Sequence, residues 1–289
     1  MSAVRERFEL SLSYGLYVMN FGEASDARFL CELAGEAEDA GWNGIFLTDT
    51  IMYYRDGREP VADSLTALAA IAVNTKHIRI GTAIASLPRR PPWLVAREAV
   101  TIDRLSDGRL TLGVGLGDPP DSEFQPFGQE SEAKIRGEKL DEALDILTGL
   151  WTGKEFSYHG KHYQVDKTRF LPTPRQEPRV PIWVGGSWPN KPPFRRAARW
   201  DGVIPIKNQA TVKLEPTDLL AVMEYVRKQR TSKGPFDIVV IGNGKSEQEI
   251  EARRQRYEQQ GITWWLKYLP RYRNSRKEMI EQVRKGPPD

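Results

Sequence analysis

Short apolar runs alternate with amphipathic helical windows through nearly the whole chain, and this rhythm restricts the fold more than any other feature. The runs are Phe8–Tyr14, Gly44–Leu47, Ile78–Ile84, Leu110–Val114, Val180–Val184, Gly202–Ile206, Asp237–Ile241 and Ile262–Leu266. Each is short and rich in β-branched or aliphatic residues, which predicts a strand. Between them apolar residues recur at spacings of three and four. Phe29, Leu33 and Ala37 share one face, with Gly41 as the stop. Leu140, Leu144, Leu147 and Trp151 form a second face, and Leu219, Met223 and Val226 a third. Ser246 with Glu249, and Ser275 with Glu278, have the spacing of a capping box that opens a helix.

Strands that alternate with helices pair in parallel, because a parallel neighbour needs a crossover long enough to hold a helix. Eight such units predict a (β/α)8 TIM barrel rather than a doubly wound sheet, which has fewer strands and a dinucleotide fingerprint. The candidate fingerprint at Gly113, Gly115 and Gly117 fails, because Asp118 stands where a glycine is required. Residues 152–179 break the rhythm with Tyr158, His159, His162 and Tyr163 followed by Pro172, Pro174 and Pro178. They are read as an excursion over the barrel mouth after strand four, with a small hairpin at 155–165. At roughly 150 residues per domain the length would predict about two domains. The unbroken βα alternation favours one domain over 1–289.

Composition excludes several classes. Lys and Arg number 42 against 39 Asp and Glu, and this net charge of +3 is too small and too evenly spread for a nucleic-acid footprint. The lone cysteine, Cys31, rules out a disulfide framework or a multi-thiolate metal site. No apolar run nears the ~18 residues of a membrane span, and Met1 to Glu9 carries charges where a signal peptide is apolar, so a cytoplasmic protein is expected.

In such a barrel the active site is built from the loops after the strands. Asp49 and Thr50 follow strand two, Ser86 follows strand three, and Gly115, Gly117 and Asp118 follow strand four. Gly185, Gly186, Ser187 and Trp188 follow strand five. The glycines at 113, 115 and 117 would admit a flat ligand close to backbone, or simply leave room where barrel layers crowd. Gly185–Ser187, ahead of a helical window, would form an anion site from free N–H groups and a hydroxyl, or an ordinary strand-to-helix turn. Asp49 would act as a base or orient a ring nitrogen, or else accept N–H bonds from its loop. Gly242–Ser246 fails as a phosphate loop because the first required glycine falls on Val239, and Ser246 reads as a helix cap. His159 and His162 have no acidic partner nearby in the sequence, which argues against a metal site. Of Trp264 and Trp265, which with Trp188 are expected near the mouth, at most one can face the interior. Arg89, Arg90, Arg195 and Arg196 suggest an acidic ligand or plain surface solvation. No nucleophile elbow is present, and so few titratable candidates point to a cofactor that carries the chemistry.

Several segments together resemble the bacterial luciferase-like superfamily of flavin- and deazaflavin-dependent oxidoreductases. They are Arg90-Pro91, Ala96–Ala99, Thr101–Leu110 and Leu112–Gly117, then Glu123-Phe124, Phe127-Gly128, Leu140–Leu144 and Leu150-Trp151. Gly160 with Tyr163, Pro172 with Pro174, and Pro181–Gly186 continue the likeness, which spans roughly residues 8 to 285. It implies a luciferase-like (β/α)8 barrel with an insertion after strand four, often dimeric, that binds reduced FMN or coenzyme F-420 across its mouth. It further implies a cofactor phosphate on Gly185, Gly186 and Ser187, and a bulge with a non-prolyl cis peptide at Ala83–Ile84 behind the ring. Many relatives place a histidine directly after the acidic residue of strand two. Here that position is Thr50, which cannot titrate near neutrality, so a hydroxyl hydrogen bond is the expected role.

The expected activity is a luciferase-like monooxygenase that uses reduced FMN on a small organic substrate. The alternative is F-420-dependent hydride transfer; from another class, the alternative is a non-catalytic barrel that holds flavin or lipid. A cofactor-free hydrolase or isomerase lacks a visible base, nucleophile or metal set. A homodimer, a separate flavin or F-420 reductase, and no nucleic-acid or membrane partner complete the expectation.

Overall fold

In the computed structural model, which describes residues 12–53, 58–207, 214–242, 244, 246–269 and 275–288, the alternation closes on itself. The strands are β1 (Ser13–Val18), β2 (Gly44–Leu47), β3 (Arg79–Ser86), β4 (Leu110–Gly115), β7 (Ile182–Trp188), β8 (Gly202–Lys207), β9 (Asp237–Gly242) and β10 (Trp264–Leu269). They form a closed barrel in the order β1-β10-β9-β8-β7-β4-β3-β2, every neighbour parallel. Outside it lie α1 (Ala27–Asp39), α2 (Ser64–Asn74), α3 (Pro92–Leu105), α4 (Pro120–Glu123), α5 (Ala133–Trp151), α6 (Lys191–Ala197), α7 (Pro216–Gln229), α8 (Glu247–Glu258) and α9 (Arg276–Arg284). β5 (Phe156–His159) and β6 (Gln164–Thr168) make a separate antiparallel hairpin.

The helical windows behave as their spacing predicts. Phe29, Leu33 and Ala37 are buried on α1, and Leu140, Leu144, Leu147 and Trp151 on α5. On α7 the buried stripe is Leu219, Val222 and Val226, with Met223 beside it. α1 ends before Gly41, whose φ of 86° lies in the left-handed region that glycine enters without penalty. Ser246 accepts from the Glu249 N–H at the start of α8, and Ser275 and Glu278 complete a reciprocal box on α9.

Strand boundaries move more. Of the expected first strand Phe8–Tyr14, residues 8–11 lie outside the described residues, and β1 begins at Ser13 and continues to Val18. β10 likewise starts at Trp264 rather than Ile262. Composition located these strands, but barrel pairing chose their ends: Ser13 pairs with Trp264 and Val18 with both Leu269 and Leu47.

Alternation divides the core. Phe46, Trp183, Ile204, Val239, Trp264 and Leu266 point inward as a plug, while the larger apolar set lies between strands and helices. Phe46 stacks on Trp183 at 5.0 Å and meets Trp264 edge-on at 5.5 Å. Such rings fit because neighbouring strands present no side chain: a Cβ on Gly44 would lie 2.9 Å from the Trp264 ring, and one on Gly81 3.0 Å from Phe46. Each fully buried ring of this kind stabilises the fold by about 1.5–3 kcal/mol. Trp264 thus faces the interior and Trp265 packs outward against Tyr257 at 6.1 Å. Both sit low on β10, away from the mouth where sequence reading expects them.

The excursion lies elsewhere than expected. Glu142 of α5 accepts backbone N–H groups of Lys161, His162 and Tyr163 at the hairpin tip, and Tyr163 meets Trp93 of α3 at 6.3 Å. Arg175 and Gln176 then donate to Asp103 at the end of α3, ahead of β4. The segment runs along the outside of α3 and α5 and returns at the amino-terminal end of the barrel, not over its mouth. His162 also finds an acidic partner that spacing hides, Glu138 at 2.8 Å. Among the described residues no three ligands gather into a metal group.

Candidate active site at the carboxyl end of the barrel

β3 carries the main irregularity of the barrel wall. Its register against β4 shifts between Thr82 and Ala85, and the Ala83–Ile84 peptide is cis. The Ile84 side chain turns into the mouth, where it covers the backbone of Gly115 and Gly185. A Cβ on Gly115 would lie 2.9 Å from Ile84 Cγ2, and one on Gly185 would collide with Ile84 Cδ1. These glycines therefore serve Ile84 rather than a ligand directly. Gly113 likewise makes room for the Thr82 carbonyl, and Gly117, at φ 81°, for Ser86 and Phe124. The expected open glycine shelf is instead a protein-filled one, whose partly exposed upper surface is the isoleucine.

The acidic and basic residues around β2, β3 and β4 are committed to one another. The buried Asp49 carboxylate accepts from the Ser64 hydroxyl at 2.7 Å and the Ser86 N–H at 3.1 Å. Arg89 and Arg90 each pair with it at 2.8 Å. Arg90 also holds Asp63 at 2.8 Å. Arg89 Nη1 lies 2.8 Å from Glu123 as an ion pair without an aligned hydrogen bond. Glu123 in turn accepts from the Ile51 N–H at 3.1 Å, and burial pushes its carboxyl up despite Arg89. Of the two readings of Asp49, its contacts describe the one that holds loops: four donors leave the carboxylate no free face. Arg89 and the partly exposed Arg90 are thus held by carboxylates of the protein itself, and buried Arg196 is held by Asp141 at 2.6 Å.

Among the described residues the hydroxyls of Thr50 and Ser187, both at the mouth, have no partner. Thr50 is half-buried; Asn20 holds its backbone, accepting at 3.4 Å from its N–H and donating to its carbonyl at 3.2 Å. The Thr50 hydroxyl has no partner among the described residues. Ser86 donates to the Leu116 carbonyl at 3.2 Å and is buried, while Asp118 is exposed at the rim. Ser187 still belongs to β7, and its hydroxyl is unpartnered among the described residues.

The anion site expected at a helix terminus is weaker than its sequence suggests. α6 starts at Lys191, and Pro192 and Pro193 remove two of the first-turn N–H donors. Gly186 has no side chain because a Cβ there would strike Pro193. Beside them the Lys191 ammonium lies 3.6 Å from the centre of the Trp188 ring and 4.8 Å from that of Tyr225. Its position beside the end of β7 carries no sequence signal beyond a single cation among prolines.

The family model for luciferase-like monooxygenases matches residues 8–278, and the chain belongs to this family of oxidoreductases. It is 32% identical over 243 residues to an uncharacterised protein of Mycobacterium tuberculosis, covering 77% of this chain and 80% of that one. Over 202 residues it is 30% identical to the F420-dependent glucose-6-phosphate dehydrogenase of Nakamurella multipartita, covering 69% of this chain but only 58% of the relative. A shorter match, 34% over 127 residues, joins it to the oxygenase component of a flavin-dependent trigonelline monooxygenase of Acinetobacter baylyi, covering 44% and 35% of the two chains. The crystal structure of monooxygenase RslO1 from Streptomyces bottropensis superposes with a TM-score of 0.77 at 17% identity over 94% of this chain and 97% of the other, a likeness of fold.

Proposed function

We propose that the mouth holds the planar ring of a flavin-type cofactor on Ile84, and that the chain is an FMN-dependent monooxygenase acting on a small organic substrate. The observation that carries this is the Ile84 side chain seated on Gly115 and Gly185, an apolar floor at the end of the barrel with a free hydroxyl, Ser187, at its edge. A ring needs an apolar face and its tail needs donors, and the two occur side by side. Ser187 and Lys191 would hold the phosphate through a neutral hydrogen-bond donor and a charge. Gly185, Gly186 and Trp188 shape that end of the site, while Ala83, Ser86, Gly115, Gly117 and Asp118 shape the flank beside Ile84. When bound, reduced FMN activates oxygen for insertion into the substrate. The protein's part is to position: Asp49 fixes the loops after β2 and β3, and Thr50 presents a hydroxyl to cofactor or substrate.

A second reading is hydride transfer with coenzyme F-420, favoured by the Nakamurella relative named for that cofactor. The Acinetobacter relative, named as one component of an oxygenase, supports a separate reductase as partner. We take residues 1–289 as one cytoplasmic domain that forms homodimers. Titrating pure protein under exclusion of oxygen with reduced FMN and with F-420 while following quenching of its tryptophan fluorescence separates the readings. Saturable binding of FMN supports the first and of F-420 the second; if neither binds, the chain is a non-catalytic or cofactor-free barrel.

A further inference from the structure

The mouth has two unlike walls. β3, β4 and β7 contribute Ile84 and the glycines beneath it. Across from them, the inward positions at the ends of β8, β9, β10 and β1 are Ile206, Ile241, Tyr268 and Tyr17. Each follows by two residues a position already facing inward, namely Ile204, Val239, Leu266 and Gly15. Tyr17 and Ile241 pack on the inner plug, and the Tyr17 and Tyr268 rings lie 5.9 Å apart. Ile206 is 40% exposed, an isoleucine presented to the open mouth. The Tyr268 hydroxyl is engaged with Met19 Sδ at 3.4 Å, whereas the Tyr17 hydroxyl has no partner among the described residues. Burial, and then Tyr268 beside it, push the Tyr17 phenol up, so its proton stays in place across the neutral range.

We propose that this second wall recognises the substrate as an uncharged, mainly apolar molecule with one carbonyl or hydroxyl oxygen, which accepts a hydrogen bond from Tyr17. A charged group set against two isoleucines and two rings would lose hydration without recovering it. An oxygen placed at Tyr17 keeps its hydrogen bond, and a site built around such a donor rejects molecules that leave it unpaired. Tyr17 is thus a positioning residue for the substrate. The inference rests on the cofactor reading in one respect, that the substrate lies between this wall and a ring on Ile84.

Acetophenone and benzoate, nearly equal in shape but neutral and anionic, test it on the full chain, with FMN added and without. Calorimetric titration should give acetophenone an affinity at least about tenfold above that of benzoate. Tyr17→Phe should weaken acetophenone about three- to tenfold and abolish the downward shift of its infrared carbonyl band. Tyr268→Phe, whose hydroxyl is already engaged with Met19, should keep that shift, and FMN affinity in Tyr17→Phe should stay within about twofold, less than one hydrogen bond is worth. Benzoate binding as tightly as acetophenone, no acetophenone binding, or a band shift that survives Tyr17→Phe overturns the proposal. If neither cofactor binds yet the Tyr17-dependent shift is seen, the cofactor reading falls while the recognition wall stands. The comparison of the two probes needs no variant, so it decides even if a variant fails to fold.

Discussion

One flank of the mouth, around β2, β3 and β4, is dense with charge, and on the flank from β8 round to β1 the inward strand ends Ile206, Ile241, Tyr268 and Tyr17 carry none; the inward Asp237 lies at the far end of β9, bound to Trp183. The charged flank looks reactive in a sequence, yet Asp49, Arg89, Arg90 and Glu123 pair with one another in a network that Arg90 extends to the exposed Asp63. The uncharged flank looks inert, yet it holds the unpartnered Tyr17 hydroxyl. Availability, not acidity, separates a reacting group from a strut. A buried carboxylate that accepts from every side holds loops in register, and a lone hydroxyl in an apolar wall is free to meet a ligand.

The comparison breaks first at Arg89. Arg89→Met leaves two carboxylates buried without their shared cation, and stability in urea titration should fall by about 3–5 kcal/mol. A loss below about 0.5 kcal/mol, typical of a surface change, would show that the charged flank is not structural. Next is the shelf. Gly185→Ala forces Ile84 aside and should cost about 1–3 kcal/mol, with most of the loss recovered in Gly185→Ala combined with Ile84→Ala. Additive costs in the double variant would separate the two residues. Ser187→Ala should weaken cofactor binding about tenfold, the worth of one hydrogen bond to a charged phosphate, and leave the unfolding midpoint unchanged. An equal loss of stability would make Ser187 a packing residue.

The smallest effect is a pH dependence far from the mouth. Hydrogen bonds from Lys161 and His162 hold the Glu138 carboxyl at about 2, below its ordinary 4.5. A carboxyl depressed in the folded state contributes stability above its unfolded pKa and loses it as pH falls toward the folded one. The hairpin anchor should therefore loosen as pH drops from 4.5 towards 2. The protection factors of the Lys161–Tyr163 amides, exchange rates of the unfolded chain divided by those observed at the same pH, should fall over that range, and in Glu138→Gln that fall should shrink.

Much of the fold is legible in the chain because periodicity is local. Phe29, Leu33 and Ala37 face the core as their spacing predicts, Ser275 and Glu278 cap as theirs does, and alternation alone separates Trp264 from Trp265. The family signature likewise points to the bulge at Ala83–Ile84. The site is legible only as a set of strand ends. Nothing in Gly115 or Gly185 says whether a missing Cβ admits a ligand or a neighbouring isoleucine, and nothing in Tyr17 distinguishes it from any strand tyrosine.

Sequence by itself thus determined the βα order, the helix faces and caps, and the loops from which a site must be built, since each depends on residues a few positions apart. Tertiary structure alone decided that Asp49 is enclosed by Ser64, Ser86, Arg89 and Arg90, that Ile84 occupies the glycine space, and that Tyr17 stays unpartnered. The physical reason is that hydrogen-bond saturation and filled volume belong to groups brought together by barrel closure, across separations that no local pattern encodes.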